Sequence, residues 1–273
     1  MTKILQQYSV SLFFVLTFVI SWSFWSLPWL YQQGWIDQLP NWWGLGSFGP
    51  SLAGIILISL LYGSSGLKRL FKRLTRFKAS FKLYLVVAFL PIGILVTTLA
   101  LGTLLFNAQY DWSLLPTISG FGLVFIQILL LGGPMNEELG WRGFALPKLQ
   151  QSTSALNASL WIGSIWAIWH LPLFMAEIPG YTLMPFYLYW LNTLALAIIF
   201  TWLYNTGKGQ LWLSVLLHTF FNTINWLMLP LLPTSISSKI AVIYVGTMLL
   251  VAIFMVIKFG RNSLSNQMKN IEI

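Results

Sequence analysis

The chain has 273 residues but no cysteine, two histidines, six carboxylates, and charge on only 8% of its positions. Each shortage excludes a class of protein. Without Cys there is no disulfide framework, no thiolate metal site and no Cys nucleophile. Soluble domains carry about a quarter of their residues as Asp, Glu, Lys or Arg, so a water-facing surface cannot be built from this composition. A hydrophobic content of 57% excludes disorder, whose signature is low hydrophobicity. Acid–base or metal chemistry must draw on very few side chains.

What is present instead is long apolar runs. A helix needs about 20 apolar residues to cross the hydrocarbon core, and eight stretches qualify: 8–30, 43–64, 83–106, 116–134, 155–173, 184–204, 210–230 and 238–258. They do not alternate apolar and polar residues as the strands of a membrane barrel do. The expected fold is all-α, a single polytopic membrane domain over 1–273 with about eight transmembrane helices. Trp29, Trp35, Trp42, Trp43 and Trp112 fall near span ends, as interfacial aromatics do. The first apolar run is too long for a signal h-region and no small-residue cleavage site follows it, so it reads as a retained span. No internal repeat and no long linker is visible.

Lys and Arg accumulate in cytoplasmic loops. Lys68, Arg69, Lys72, Arg73, Arg76, Lys78 and Lys82 follow the second span; Lys3, Lys208, Lys258, Arg261 and Lys269 fall on the same side of an eight-span chain. The opposite side holds Asp37, Asp111 and Glu177, with Lys239 its one basic residue. Both termini are therefore expected in the cytoplasm. The net charge of +9 is topology rather than a nucleic-acid footprint; the 68–82 cluster could also attract anionic lipid. Absence of Cys and of organelle signals fits a bacterial plasma membrane.

Ionisable residues inside a membrane are costly and functional by default. Three acids are in outer loops and Glu272 is in the tail, leaving Glu137 and Glu138 in GGPMNEELGWRGFALPKLQ. Both histidines are in apolar spans, in WIGSIWAIWHLPLF and LWLSVLLHTFFNTINW. Gly132, Gly133 and Pro134 should interrupt the fourth span, with Pro134 opening a new helix. On that helix and the returning one, Glu137 and His170 both lie roughly 20–24 Å from the turn at 150–154, at 1.5 Å per residue. His218 lies at a compatible depth in the seventh span, and a pocket open to the cytoplasmic side is the expected solution. Glu138 and Arg142 at i,i+4 suit an ion pair, and His218 and Asn222 share the same spacing. Trp166, four residues before His170, falls on the same side, although for Trp161, Trp166 and Trp169 packing or lipid contact is the favoured reading.

Glu-Glu-x-x-x-Arg at 137–142, an aromatic residue four positions before His170, and His218-x-x-x-Asn222, in this order on successive hydrophobic helices, resemble the CPBP (CAAX protease and bacteriocin-processing, or Abi) intramembrane proteases. The resemblance covers roughly 115–230, a CAAX-protease-like core. One departure is Trp166, where the family's motif usually has Phe. The resemblance implies hydrolysis of a membrane-embedded or lipid-anchored peptide or protein, within or beside the bilayer. Glu137 would activate the attacking water and His170 would position it; His218 and Asn222 would stabilise the oxyanion; Glu138 and Arg142 would pair and hold the helix. Glu137, His170 and His218 also match the ligand count of a hydrolytic Zn2+ site, so a zinc-dependent and a metal-free mechanism are both open. Two other readings use the same residues: a non-catalytic binding or immunity protein of this fold, and a small proton-coupled transporter.

Overall fold

The structure is a computed structural model that describes residues 2–232, 237–270 and 273, with side chains for all of these except 2–4, 228 and 229. Glu272, expected in the tail, and the side chain of Lys3 lie outside the described residues. The described residues form helices and no strand. The principal ones are α1 (Ser9–Trp25), α2 (Gly49–Leu74), α3 (Phe81–Phe106), α4 (Ile118–Leu131), α5 (Pro134–Gly140), α6 (Leu146–Ser152), α7 (Ala155–Trp169), α8 (Phe186–Thr206), α9 (Leu211–Met228) and α10 (Ser237–Phe259).

Seven helical stretches among the described residues are long and apolar enough to cross a bilayer: Ser9–Gln32, Asn41–Leu74, Phe81–Phe106, Ile118–Ser152, Ala155–Met175, Phe186–Thr206 and Ser237–Phe259. Each matches an expected span. The remaining expected span, 210–230, is occupied by α9, a helix made less apolar by His218, Asn222 and Asn225. The polar residues that thin its hydropathy are the ones the site uses.

Local sequence explains the breaks. Gly133 adopts φ +106, a conformation that suits glycine, and Pro134 follows at the first helical position, so α5 starts afresh after α4. Trp141–Ala145 then forms a π-helical turn before α6, a local widening that often marks functional sites. The turn at 153–154 is closed by Ser154, whose hydroxyl accepts from the Asn157 amide at 3.1 Å and caps α7.

Hydrogen bonds define the two ends of the bundle. At one end the Ala155 and Leu156 amides donate to the Asn262 and Arg261 carbonyls, both at 3.0 Å. There too Gln210 donates to the Lys78 carbonyl and Asn205 to the Ser263 carbonyl. At the other end Gln32 donates to the Ala176 carbonyl at 2.8 Å. The basic loop 75–80 lies at the first end; the loops 33–40 and 176–185 lie at the second.

The candidate active site

Glu137, in the first turn of α5, is buried against two tryptophans. Its Oε2 accepts from the indole N–H of Trp166 at 2.9 Å and from that of Trp141 at 3.3 Å. Its Oε1 points towards Gly133, where an added Cβ would come within 2.6 Å of it. Glycine at 133 therefore both permits the turn and leaves room for the carboxylate.

Glu138 turns the opposite way. Its Oε1 accepts from Arg142 Nη1 and from His218 Nδ1, both at 2.9 Å. Glu138 and Arg142 are each 0% exposed. The guanidinium also lies over the ring of Phe200 at 4.3 Å and that of Trp166 at 5.0 Å, so its faces meet π-density and its edge meets the carboxylate. The i,i+4 spacing thus makes the ion pair it predicts, and the pair holds His218 as well.

His170 ends α7 because Pro172 cannot continue it. The His170 amide reaches back to the Ala167 carbonyl at 3.1 Å. That leaves the Trp166 carbonyl to accept from His170 Nδ1 at 2.9 Å. A carbonyl only accepts, so Nδ1 carries the proton and Nε2 keeps its lone pair. Trp25 stacks on the imidazole at 5.5 Å and Tyr181 lies 5.3 Å from it. Asn222, one turn beyond His218 on α9, donates from Nδ2 to the Gly132 carbonyl at 3.2 Å, tying α9 to the break before α5.

A cavity of about 620 Å³ collects these groups. Glu137, His170, His218 and Asn222 line it together with Trp166 and Tyr181. Glu138 and Arg142 do not line it; they lie behind it and support His218. Among the described residues no three His, Asp or Glu side chains converge to hold a metal ion, although both histidines have Nδ1 engaged in the manner of metal-binding imidazoles.

Two expectations are corrected. Trp166, favoured as a packing residue, donates to Glu137 and walls the cavity, whereas Trp161 is 57% exposed. The mouth expected beside the 150–154 turn is at the far end of the bundle, lined by Trp43, Gly44, Gly180 and Leu183. Helical rise fixed how far each residue lies from the turn but not which end stays open; the Glu138–Arg142 pair and the packing beneath it close the turnward side. Trp25, Trp141, Tyr181 and Tyr189 join the site without having been singled out. Trp141 was within reach of the i,i+4 rule from Glu137; the others lie on segments remote in sequence. Burial holds the Tyr181 phenol well above its usual range, so it faces the cavity protonated.

Residues 119–224 match the family described as type II CAAX prenyl endopeptidase Rce1-like. Over 261 residues the chain is 24% identical to CAAX prenyl protease 2 of Methanococcus maripaludis, a match covering 90% of this chain and 92% of that protein. The family match spans every one of the three ordered motifs, from Glu137 to Asn222. By these motifs and both matches, this integral membrane chain is similar to the type II CAAX prenyl endopeptidases.

Proposed function

We propose that the chain is an intramembrane endopeptidase that hydrolyses a peptide bond in a membrane-embedded or lipid-anchored substrate, with Glu137 as the base. The observation that carries this reading is the placement of Glu137 in the cavity. Two indole donors fix one carboxylate oxygen, and Glu137 lines the cavity together with His170, His218 and Asn222.

The chemistry is assigned to side chains and water. His170 Nε2 accepts one hydrogen of a water, and Glu137 takes the other as the oxygen attacks the scissile carbonyl. The carbonyl oxygen becomes an oxyanion, met by the second Nδ2 hydrogen of Asn222 and by the His218 imidazole. Protonated Glu137 then delivers its proton to the leaving amine as the C–N bond breaks. One water is consumed, and one carboxylic acid and one amine result. The step as proposed uses side chains and water; a zinc-assisted form would be held by Glu137, His170 and His218. Cleavage is expected to persist with a chelator such as phenanthroline; loss that added zinc restores would overturn the metal-free form and favour Glu137, His170 and His218 as ligands.

The relative's name suggests a prenylated CAAX-type peptide as the first substrate to try, and a bacterial plasma membrane is the location we propose. Purified protein in detergent should cleave a membrane-peptide substrate, and Glu137→Gln and His170→Ala should each abolish the cleavage. Cleavage that survives both substitutions would overturn the site assignment. A folded protein that binds such peptides without cutting them would instead support the immunity or binding reading.

A further inference from the structure

The charges mark the end of the bundle at which the cavity opens. Its rim is built from Trp43 and Gly44, just after the 33–40 loop, and from Gly180, Tyr181 and Leu183 of the 176–185 loop. Those two loops carry Asp37 and Glu177. No lining residue comes from 75–80, 150–156, 204–210 or 260–270, the segments that gather at the basic end. Between the cavity floor and that end lie Glu138, Arg142, Phe144, Tyr204 and Leu211, each 0% exposed. Arg73 closes the layer behind them, donating to the Gly143 carbonyl at 2.7 Å and the Tyr204 hydroxyl at 3.0 Å. The site is sealed from the basic face and open at the opposite one.

Lys and Arg near span ends stay on the cytoplasmic side. Turning the bundle over would translocate the whole 68–82 cluster and leave Lys239 as the one basic residue in the cytoplasmic loops. We infer that the active-site cavity opens to the non-cytoplasmic side of the membrane, and that its substrate is a membrane-tethered peptide whose scissile bond lies on that side. The orientation stands on charge and geometry alone; the substrate side rests on the protease reading. The rim also fits a tethered substrate. Leu131 at the end of α4 and Trp226 on α9 line the cavity and are 72% and 57% exposed, giving it an apolar edge that faces lipid.

The lack of native cysteine makes the orientation directly measurable. Thr182→Cys places a thiol in the 176–185 loop, Asn192→Cys one on the cavity wall, and Ser80→Cys one in the basic loop. In bacterial cells expressing each full-length variant, a membrane-impermeant maleimide should label Thr182→Cys and Asn192→Cys without permeabilisation, and Ser80→Cys only after it. The reverse pattern, or labelling of both loops in intact cells, overturns the inference. A green fluorescent protein fused after Ile273 gives a readout free of substitutions: fluorescence is expected, and a dark but full-length fusion overturns the inference. None of these measurements involves cleavage. If they hold while every peptide remains uncut, the protease reading fails and the orientation stands.

Discussion

At the scale of single residues, the site divides into a reacting face and a supporting layer. Glu137 depends on two indoles, and Trp166 occupies a position where Phe would keep the wall and lose the donor. Hydrogen bonds to charged groups contribute about 1.5–3 kcal/mol, and each 1.36 kcal/mol of barrier is about tenfold in rate. Trp166→Phe is therefore expected to lower kcat on the order of tenfold, with KM and thermal stability nearly unchanged. An unchanged kcat would mean that Trp141 alone holds the carboxylate. Arg142 behaves differently because it neutralises a buried charge. Arg142→Leu leaves Glu138 uncompensated at 0% exposure, a loss of about 3–5 kcal/mol for breaking a buried pair. Removing both charges in Glu138→Leu with Arg142→Leu should recover much of that. Thermal unfolding in detergent distinguishes the cases: a double variant no more stable than Arg142→Leu alone would contradict the argument.

At the scale of elements, the site exists because one span is interrupted and one helix crosses another closely. Gly140 on α5 lies against α2, where an added Cβ would come 2.1 Å from the Pro50 carbonyl oxygen. Small residues allow such approaches between membrane helices, and here the neighbour is backbone, which cannot step aside. Gly140→Ala should separate α2 from α5, lower the melting temperature and displace Glu137 three residues away. Gly133→Ala meets a different obstacle, a positive φ of +106 and the Glu137 carboxylate itself. It is expected to cost about 1–3 kcal/mol from backbone strain and to abolish cleavage more completely than that loss of stability explains. Full activity in a Gly133→Ala protein would exclude the proposed pose of Glu137. Much of this level was legible in the sequence. Gly132–Pro134 announced the break, and the i,i+4 spacings announced the ion pair and the shared face of His218 and Asn222. The π-helical turn at Trp141–Ala145 was not legible, because nothing in WRGFA departs from ordinary helical patterning. Nor was the 176–185 loop that brings Tyr181 to His170, since its path depends on packing against α8 and not on its own composition.

At the scale of the whole molecule, apolar runs gave the spans and the basic residues gave two distinguishable ends, but depth arithmetic alone could not say at which end the site opens. The closed end is secured by polar groups that hydropathy does not reveal. Asn205, near the end of α8 and 1% exposed, donates to Gln150 Oε1 and to the Ser263 carbonyl, both at 2.7 Å. Its Oδ1 accepts from Gln150 Nε2 at 3.2 Å and from the Asn270 amide at 3.1 Å. One side chain thus ties α6, α8 and the segment after α10 together. The same segment satisfies the first amides of α7 through the Asn262 and Arg261 carbonyls, groups that a helix N-terminus otherwise leaves without partners. Asn205→Ala strands several of these buried partners at once, each worth about 1–3 kcal/mol when left unsatisfied. The expected result is a drop in melting temperature, with faster amide hydrogen exchange at 153–157 and 260–270. Exchange at 133–142 should be little changed, because the Glu138–Arg142 layer separates the clamp from the cavity. Equal acceleration in both regions would show that the closed end and the site unfold as one unit, and that the seal beneath the active site is weaker than its burial implies.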